Sequence, residues 1–126
     1  TRFLPVSWAR RCVQETGVRT SLAVQIDHVV SLSNAWKTGA ASASATTRYN
    51  LYNDPLNLLA VDGPTNSSKG DSDASEWLPP NRAYHCAYVS RQVAVKLKYR
   101  LWVTTAEKTA MTKVLRTCPT FKLPTG

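Results

Sequence analysis

Residues 25–69 carry the two apolar runs and the polar motif from which the fold is predicted. This stretch opens with QIDHVV at 25–30 and closes with NLLAVDGPTNSSK at 57–69. The run LAVQI at 22–26 is β-prone and predicts a short strand, with Asp27 and His28 at its end. A second apolar run at 56–61 predicts another strand, which the turn signal DGP at 62–64 ends. Thr65 or Asn66 can cap a helix that ends at Lys69, so the stretch predicts two strands followed by a short helix.

The flanking sequence predicts mainly helices. Residues 33–37 and 48–52 indicate helical turns, separated by the small-residue segment GAASASATT, which reads as a loop or weak helix. The pattern DASE at 73–76 predicts a short capped helix. A long helix is predicted from Asn81 to about Arg100, because the apolar residues Cys86, Val89, Val93 and Leu97 recur there at steps of three and four. A last helix begins at the capping box of Thr104 and Glu107 and ends before Pro119.

The cysteines divide into a candidate pair and a remainder. Cys86 lies 16 residues before Trp102, and Cys118 lies 16 residues after it. If the two long helices are antiparallel, both sulfurs stand at the same end of the hairpin, since each residue advances a helix by about 1.5 Å. The alternative is two unpaired core cysteines. Cys12 makes the set odd, which fits either a secreted chain with one pair or a cytosolic chain with three reduced thiols.

Positive charge is concentrated in the last third of the chain. Lys and Arg outnumber Asp and Glu by 16 to 8. Residues 1–81 carry seven of each sign, whereas residues 82–126 carry nine bases and one acid. This distribution is typical of a surface that meets polyanions, although two solvated basic helix faces would give the same count. No apolar run approaches the length of a membrane span, so we expect no membrane partner.

The residues around the predicted strands carry a candidate hydrolytic site. Histidine can take a proton from water near neutral pH, so His28 is the candidate general base. Asp27 and Asn66 offer a carboxylate and an amide oxygen, the ligands that Mg²⁺ prefers. Asn57 could hold the loop that carries His28, and Lys69 could meet a phosphate. Each residue alone is more typical of a turn, a cap or a surface, and the combination supports the site.

Adjacent strand residues raise a geometric question, because their side chains point to opposite faces. Asp27 and His28 therefore share one cleft only if the strand bends or bulges at this point. Otherwise the two side chains approach the metal and the water from different sides.

These motifs resemble the HNH endonucleases. The pattern Asp-His, then Asn-Leu, then Asn with Lys three positions later is similar to the motif of their ββα-metal (His-Me) finger. The segments IDHVVSLSNAWKTGA, NDPLNLLAVDGPTNSSKGDSDASEWLPPN and YHCAYVSRQVAVKLKYRLWVT resemble one subfamily, related to the C-terminal domain of GmrSD-type restriction enzymes and including secreted actinobacterial proteins. The resemblance spans residues 24–118.

The resemblance implies a role for each motif residue. Asp27 and Asn66 would hold a divalent metal, His28 would be the general base, Asn57 would orient its loop, and Lys69 falls on a common lysine of the motif. Asn66 stands where many members have histidine, which favours Mg²⁺ or Mn²⁺ over zinc. The sequence before Leu22 lacks the expected Cys-containing β segment, so we expect part of the domain to be missing there.

The sequence therefore predicts an α+β fold, a ββα-metal finger packed on an α-helical hairpin. Residues 1–23 form a poorly defined segment, 24–118 the nuclease domain and 119–126 a tail. The predicted function is metal-dependent hydrolysis of DNA, with RNA as an alternative substrate. Phosphates are expected to meet a set of basic residues, namely Arg48, Lys69, Arg82 and Arg91. We expect a secreted protein, with the cytoplasm as the alternative.

Two other functions fit the same sequence. A non-catalytic nucleic-acid-binding module on this scaffold would bind in a salt-sensitive way without metal-dependent turnover. A small disulfide-stabilised secreted protein would neither bind nucleic acid nor cleave it. The sequence leaves oligomeric state, cleavage specificity and biological role open.

Overall fold

Two antiparallel strands form the sheet of the structure, a computed structural model that describes residues 24–125. Strand β1 (Val24–His28) pairs with β2 (Leu58–Asp62) in an unbroken register, in which Asp27 faces Leu59 and His28 faces Leu58. The ladder therefore continues through His28, beyond the predicted strand end at residue 26. The first two residues of that predicted strand, the 1–23 segment and Cys12 lie outside the described residues.

Strand β2 begins two residues later than predicted because a tight turn precedes it. The segment Pro55–Asn57 forms a 3₁₀ turn, and the Asp54 carboxylate accepts a hydrogen bond from the Leu56 N–H at 2.9 Å. This cap holds the backbone in a helical turn at the position where the apolar pattern alone predicted a strand.

Five α-helices accompany the sheet within the described residues, and the predicted α+β class is confirmed. They are α1 (Leu32–Lys37), α2 (Ala45–Asn53), α3 (Gly63–Lys69), α4 (His85–Lys98) and α5 (Thr105–Leu115). Helix α3 follows β2 directly and packs against both strands.

Capping side chains explain where two helices differ from the prediction. Helix α2 starts at Ala45 because the Ser44 hydroxyl accepts the Thr47 N–H, so part of the small-residue segment is helical. Helix α3 is capped by Asp62, whose carboxylate accepts the Thr65 N–H at 2.9 Å, and not by Thr65 or Asn66.

The helix predicted at residues 73–76 is wrong. Glu76 does accept a hydrogen bond from the Asp73 N–H, as a capping box requires, but these residues form only a turn. Pro79 and Pro80 follow within one helical turn, and proline N atoms cannot extend the ladder.

Helix α4 is the central element, because it contributes to both apolar clusters of the described fold. Its first half places Tyr88 and Val89 with the sheet, and its second half places Ala94 and Val95 with α1 and α2. One position of the predicted apolar stripe lies outside the core: Leu97 is 70 % exposed, whereas the buried residues of α4 are 88, 89, 90, 92, 94, 95 and 96.

The helical hairpin of α4 and α5 is closed by the predicted disulfide. Cys86 at the start of α4 is bonded to Cys118 beyond the end of α5, with 6.5 Å between the Cα atoms. The capping box of Thr104 and Glu107 begins α5, as predicted. A sequence interval of 32 residues is thereby closed into a covalent loop.

Candidate active site

One face of β1 points toward α3. Because side chains alternate along the regular strand, Gln25 and Asp27 share this face. The Asn66 amide group on α3 donates to the Gln25 side-chain oxygen at 2.9 Å, and Lys69 contacts Asp27. Strand β1 and helix α3 thus place Asp27, Asn66 and Lys69 around one pocket.

Asp27 and Lys69 form a buried ion pair. The Lys69 Nζ lies 3.0 Å from one carboxylate oxygen of Asp27 and 2.9 Å from the other. The same ammonium donates to the His28 carbonyl oxygen at 2.6 Å. Lys69 is only 2 % exposed, so its ammonium group is paired inside the protein and is not available at the surface.

The pocket around this pair is mainly apolar. Leu59, Val61, Trp77, Pro79, Tyr84 and Tyr88 line it together with Asp27, Thr65, Asn66 and Lys69. Burial raises the pKa of Asp27 because the apolar walls disfavour the charged form. Lys69 and His28 act in the opposite direction and only partly offset the burial. Burial likewise raises the pKa of the Tyr88 phenol well above its usual value.

His28 lies on the other face of β1, toward α2. Its Nε2 is 2.8 Å from the Tyr52 carbonyl oxygen, and the two rings meet edge to face at 6.4 Å. A carbonyl oxygen can only accept, so Nε2 carries the proton and Nδ1 is the basic nitrogen. Since β1 has no bulge, Asp27 and His28 lie on opposite faces of the strand and do not share one cleft. Their action on one phosphate from different sides stays a prediction.

Asn57 fixes the segment that follows His28. Its side-chain oxygen accepts the Val30 N–H at 2.8 Å, and its amide group donates to the Leu51 carbonyl at 3.3 Å. The Asn57 carbonyl accepts the Val29 N–H at 2.8 Å. Asn57 has no exposed surface, and it joins the His28 loop to the end of α2.

The three arginines predicted to meet phosphate occupy different environments. Arg91 donates to the carbonyl oxygens of Leu56, Pro55 and Leu58 and is half-buried. Arg48 donates to the carbonyl oxygens of Ala40 and Ala43. Arg82 is exposed, beside a groove next to α5. Phosphate contact by these residues stays a prediction.

Two residues at the site were not predicted. Tyr52 acts on His28 through its backbone carbonyl, and no side-chain pattern can signal a backbone acceptor. Tyr88 lies on α4 and lines the Asp27 pocket, where its hydroxyl is 3.4 Å from the Val29 carbonyl. In the sequence, the available signal was only its place on the long predicted helix, beside the apolar stripe residue Val89.

The donor chemistry of Asp27 and Asn66 fits a hard divalent cation. Both side chains line the same pocket, and Asn66 donates its amide nitrogen to Gln25, so its amide oxygen is the atom that could meet a cation. The Asp27 carboxylate keeps acceptor capacity beyond the Lys69 bonds, since an ionised carboxylate has about four lone-pair sites. Between residues 24 and 125, no cluster of three or more His, Cys, Asp or Glu side chains is placed to hold a metal.

Comparison with known proteins identifies the family. Residues 8–114 match the family described as "GmrSD restriction endonucleases, C-terminal domain". The chain belongs to this family. The predicted relation to GmrSD-type enzymes is therefore confirmed, and the chain is a member of a nuclease-like domain family.

A curated relative comes from Arthroderma benhamiae and is described as an "Uncharacterized secreted protein". It is 48 % identical over 97 residues, which cover 75 % of this chain and 48 % of the relative. The chain thus spans about half the length of that relative. No solved structure matches the chain. Among the described residues, no helix has the length and apolar character needed to cross a membrane.

Proposed function

We propose that the chain is a metal-dependent endonuclease that hydrolyses phosphodiester bonds in DNA, with β1, β2 and α3 as its ββα-metal finger. The observation that carries the proposal is the hydrogen bond from His28 Nε2 to the Tyr52 carbonyl. It leaves Nδ1 as the acceptor that a general base needs. Membership in the family supports nucleic acid as the substrate.

In this proposal each site residue has a defined task. His28 takes a proton from the attacking water at Nδ1, and the Tyr52 carbonyl holds the ring in that tautomer. Asn57 keeps the following segment in place. Asp27 and Asn66 would hold Mg²⁺ or Mn²⁺, which when bound stabilises negative charge on the phosphate. Lys69 orients the Asp27 carboxylate, since all its contacts lie inside the protein.

The basic residues are proposed to have two different roles, phosphate contact and support of the fold. Arg82 is exposed and suits direct phosphate contact, as do the other exposed bases of the C-terminal third. Arg91 instead joins α4 to the turn before β2 through three carbonyl oxygens, which is a structural role. Binding should weaken steeply as salt rises, because each neutralised phosphate releases counterions.

The chain is further proposed to be secreted. The disulfide between Cys86 and Cys118 fits an oxidising environment, and the relative from Arthroderma benhamiae is described as secreted.

A second candidate function is favoured by one observation. Both oxygens of Asp27 are already paired with the Lys69 ammonium. If this pair excludes a divalent cation, the chain is a non-catalytic nucleic-acid-binding module on the same scaffold.

Nicking of supercoiled plasmid separates the two candidates. The assay compares wild type, His28→Ala and His85→Ala, each with Mg²⁺, with Mn²⁺ and with EDTA. His85 is a matched control because its Nε2 also donates to a backbone carbonyl, that of Pro79. The enzyme proposal expects metal-dependent nicking by wild type and His85→Ala and none by His28→Ala. Binding without nicking in either metal would favour the second candidate, and full activity of His28→Ala would overturn the assignment of the base.

A further inference from the structure

A line of aromatic and basic side chains leads outward from His28 across α2 to α1. The His28 and Tyr52 rings are 6.4 Å apart. Arg48 and Tyr49 precede Tyr52 by four and three residues on α2, so each is a helical neighbour of Tyr52. The Arg48 guanidinium lies 5.6 Å from the centre of the Trp36 ring. We call Trp36, Arg48, Tyr49 and Tyr52 the aromatic strip.

The two outermost rings of the aromatic strip are largely exposed to solvent. Trp36 is 51 % exposed and Tyr49 is 68 % exposed. Large aromatic surface left in water is typical of a binding site. Arg48 is held in place by the carbonyl oxygens of Ala40 and Ala43, so the cation beside the indole is fixed by the fold.

The electrostatics of this surface suit a polyanion. Residues 29–53, which include α1, α2 and the turn between them, contain no Asp or Glu. The same segment carries two bases, Arg48 and the exposed Lys37. A phosphate backbone would meet positive charge and no opposing carboxylate from this segment.

From these observations we infer that the aromatic strip binds unpaired bases of a single-stranded nucleic acid segment that continues from the phosphate at His28. Aromatic rings stack on the faces of bases, which are open in a single strand and covered by their neighbours in a duplex. Fixed arginine beside the rings adds contact with phosphate or with the base faces. The inference rests on the proposed function, since it names the form of nucleic acid that the same site prefers.

The test measures binding separately from cleavage. Fluorescence anisotropy in EDTA follows a labelled single-stranded oligonucleotide and a duplex of equal length. The variants are Trp36→Ala, Tyr49→Ala and the double variant, with Phe121→Ala as control because Phe121 is a 47 % exposed aromatic outside the strip. We expect each ring removed to weaken single-strand binding about tenfold and duplex binding about twofold or less. Trp36→Phe keeps an aromatic ring and should retain most of the affinity.

The outcomes distinguish this inference from the proposed function. Equal losses for single strand and duplex, or no loss in the double variant, would overturn the role of the strip whatever the nicking assay shows. Selective loss of single-strand binding, in a protein that nicks nothing in Mg²⁺ or Mn²⁺, would support the strip and reject the enzyme. Tyr49 tests the inference alone if Trp36→Ala fails to fold, because its ring is largely in solvent.

Discussion

Asp27 and Lys69 are 42 residues apart in sequence, yet their side chains form a buried ion pair that joins β1 to α3. The Lys69 side chain is 2 % exposed and that of Asp27 is 8 % exposed. The pair also reaches the His28 backbone, because the ammonium donates to its carbonyl oxygen. The Lys69 ammonium therefore contacts both the Asp27 carboxylate and the backbone of His28, the candidate general base.

Removing the lysine should destabilise the fold strongly. Lys69→Met leaves the Asp27 carboxylate buried without its partner, and we expect the free energy of unfolding to fall by about 3–5 kcal/mol at neutral pH. The double variant Asp27→Asn with Lys69→Met should lose less, because no unpaired charge is buried. Urea unfolding at several pH values measures both effects.

The pH dependence provides an internal check on that result. Without Lys69, the pKa of Asp27 in the folded protein should rise further above its unfolded value, since burial already raises it. The deficit of Lys69→Met should therefore be largest at high pH and shrink as Asp27 takes up a proton. A deficit that does not vary with pH would point to lost packing instead of an unpaired charge.

Reducing the disulfide should lower stability without removing the fold. The closed interval between Cys86 and Cys118 is 32 residues. In the loop-entropy account such a bridge contributes about 3–4 kcal/mol. Urea midpoints of Cys12→Ala protein with and without dithiothreitol measure the effect, and the Cys12 substitution prevents exchange with the third thiol. Identical midpoints would show that the bridge does not constrain the unfolded chain.

Asn57 should matter for both stability and activity. Asn57→Ala leaves the Val30 N–H buried without its acceptor, and we expect a loss of about 1–3 kcal/mol. Asn53→Ala is the matched control, since Asn53 is exposed and its side chain bonds only within α2. Its cost should be about 0.5 kcal/mol or less.

Plasmid nicking by the same two variants then tests the functional role. Under conditions where both are folded, Asn57→Ala should nick more slowly than Asn53→Ala, because the segment after His28 loses its anchor. Equal rates would limit Asn57 to a purely structural role.

Local patterns in the sequence were sufficient for the parts of the fold that local physics decides. The Cys86–Cys118 bridge followed from two helical periods and a common turn at Trp102. The capping box of Thr104 and Glu107 marked the start of α5, because its two residues are only three positions apart. These features need only residues that are close along the chain or related by a regular helix.

The sequence could not predict partners that the tertiary fold supplies. Lys69 was expected to meet a phosphate, but its burial depends on how α3 packs against β1. Arg91 lies on a basic helix, and only the folded turn before β2 provides its carbonyl acceptors. Leu97 fits the 3.6-residue period, yet α4 is buried against two clusters that leave this position in solvent.

The Asp54 carboxylate should make stability fall at acid pH. It accepts hydrogen bonds from the Lys98 ammonium at 2.6 Å, from the Tyr99 hydroxyl and from the Leu56 N–H. Burial alone would raise the pKa of Asp54, but these bonds outweigh it and lower the pKa. The stabilisation is therefore complete above about pH 5 and is lost as pH falls through the folded-state pKa of Asp54.

Urea unfolding of wild type and Asp54→Asn from neutral to strongly acid pH measures this contribution. Wild type should be more stable at neutral pH, and the difference should shrink steadily below about pH 5, where the unfolded-state carboxyl begins to bind its proton. Tyr99→Phe removes one donor to Asp54 and should reduce the pH-dependent part of the difference. A difference between wild type and Asp54→Asn that stays constant down to acid pH would mean that Asp54 acts only as a neutral cap for the turn before β2.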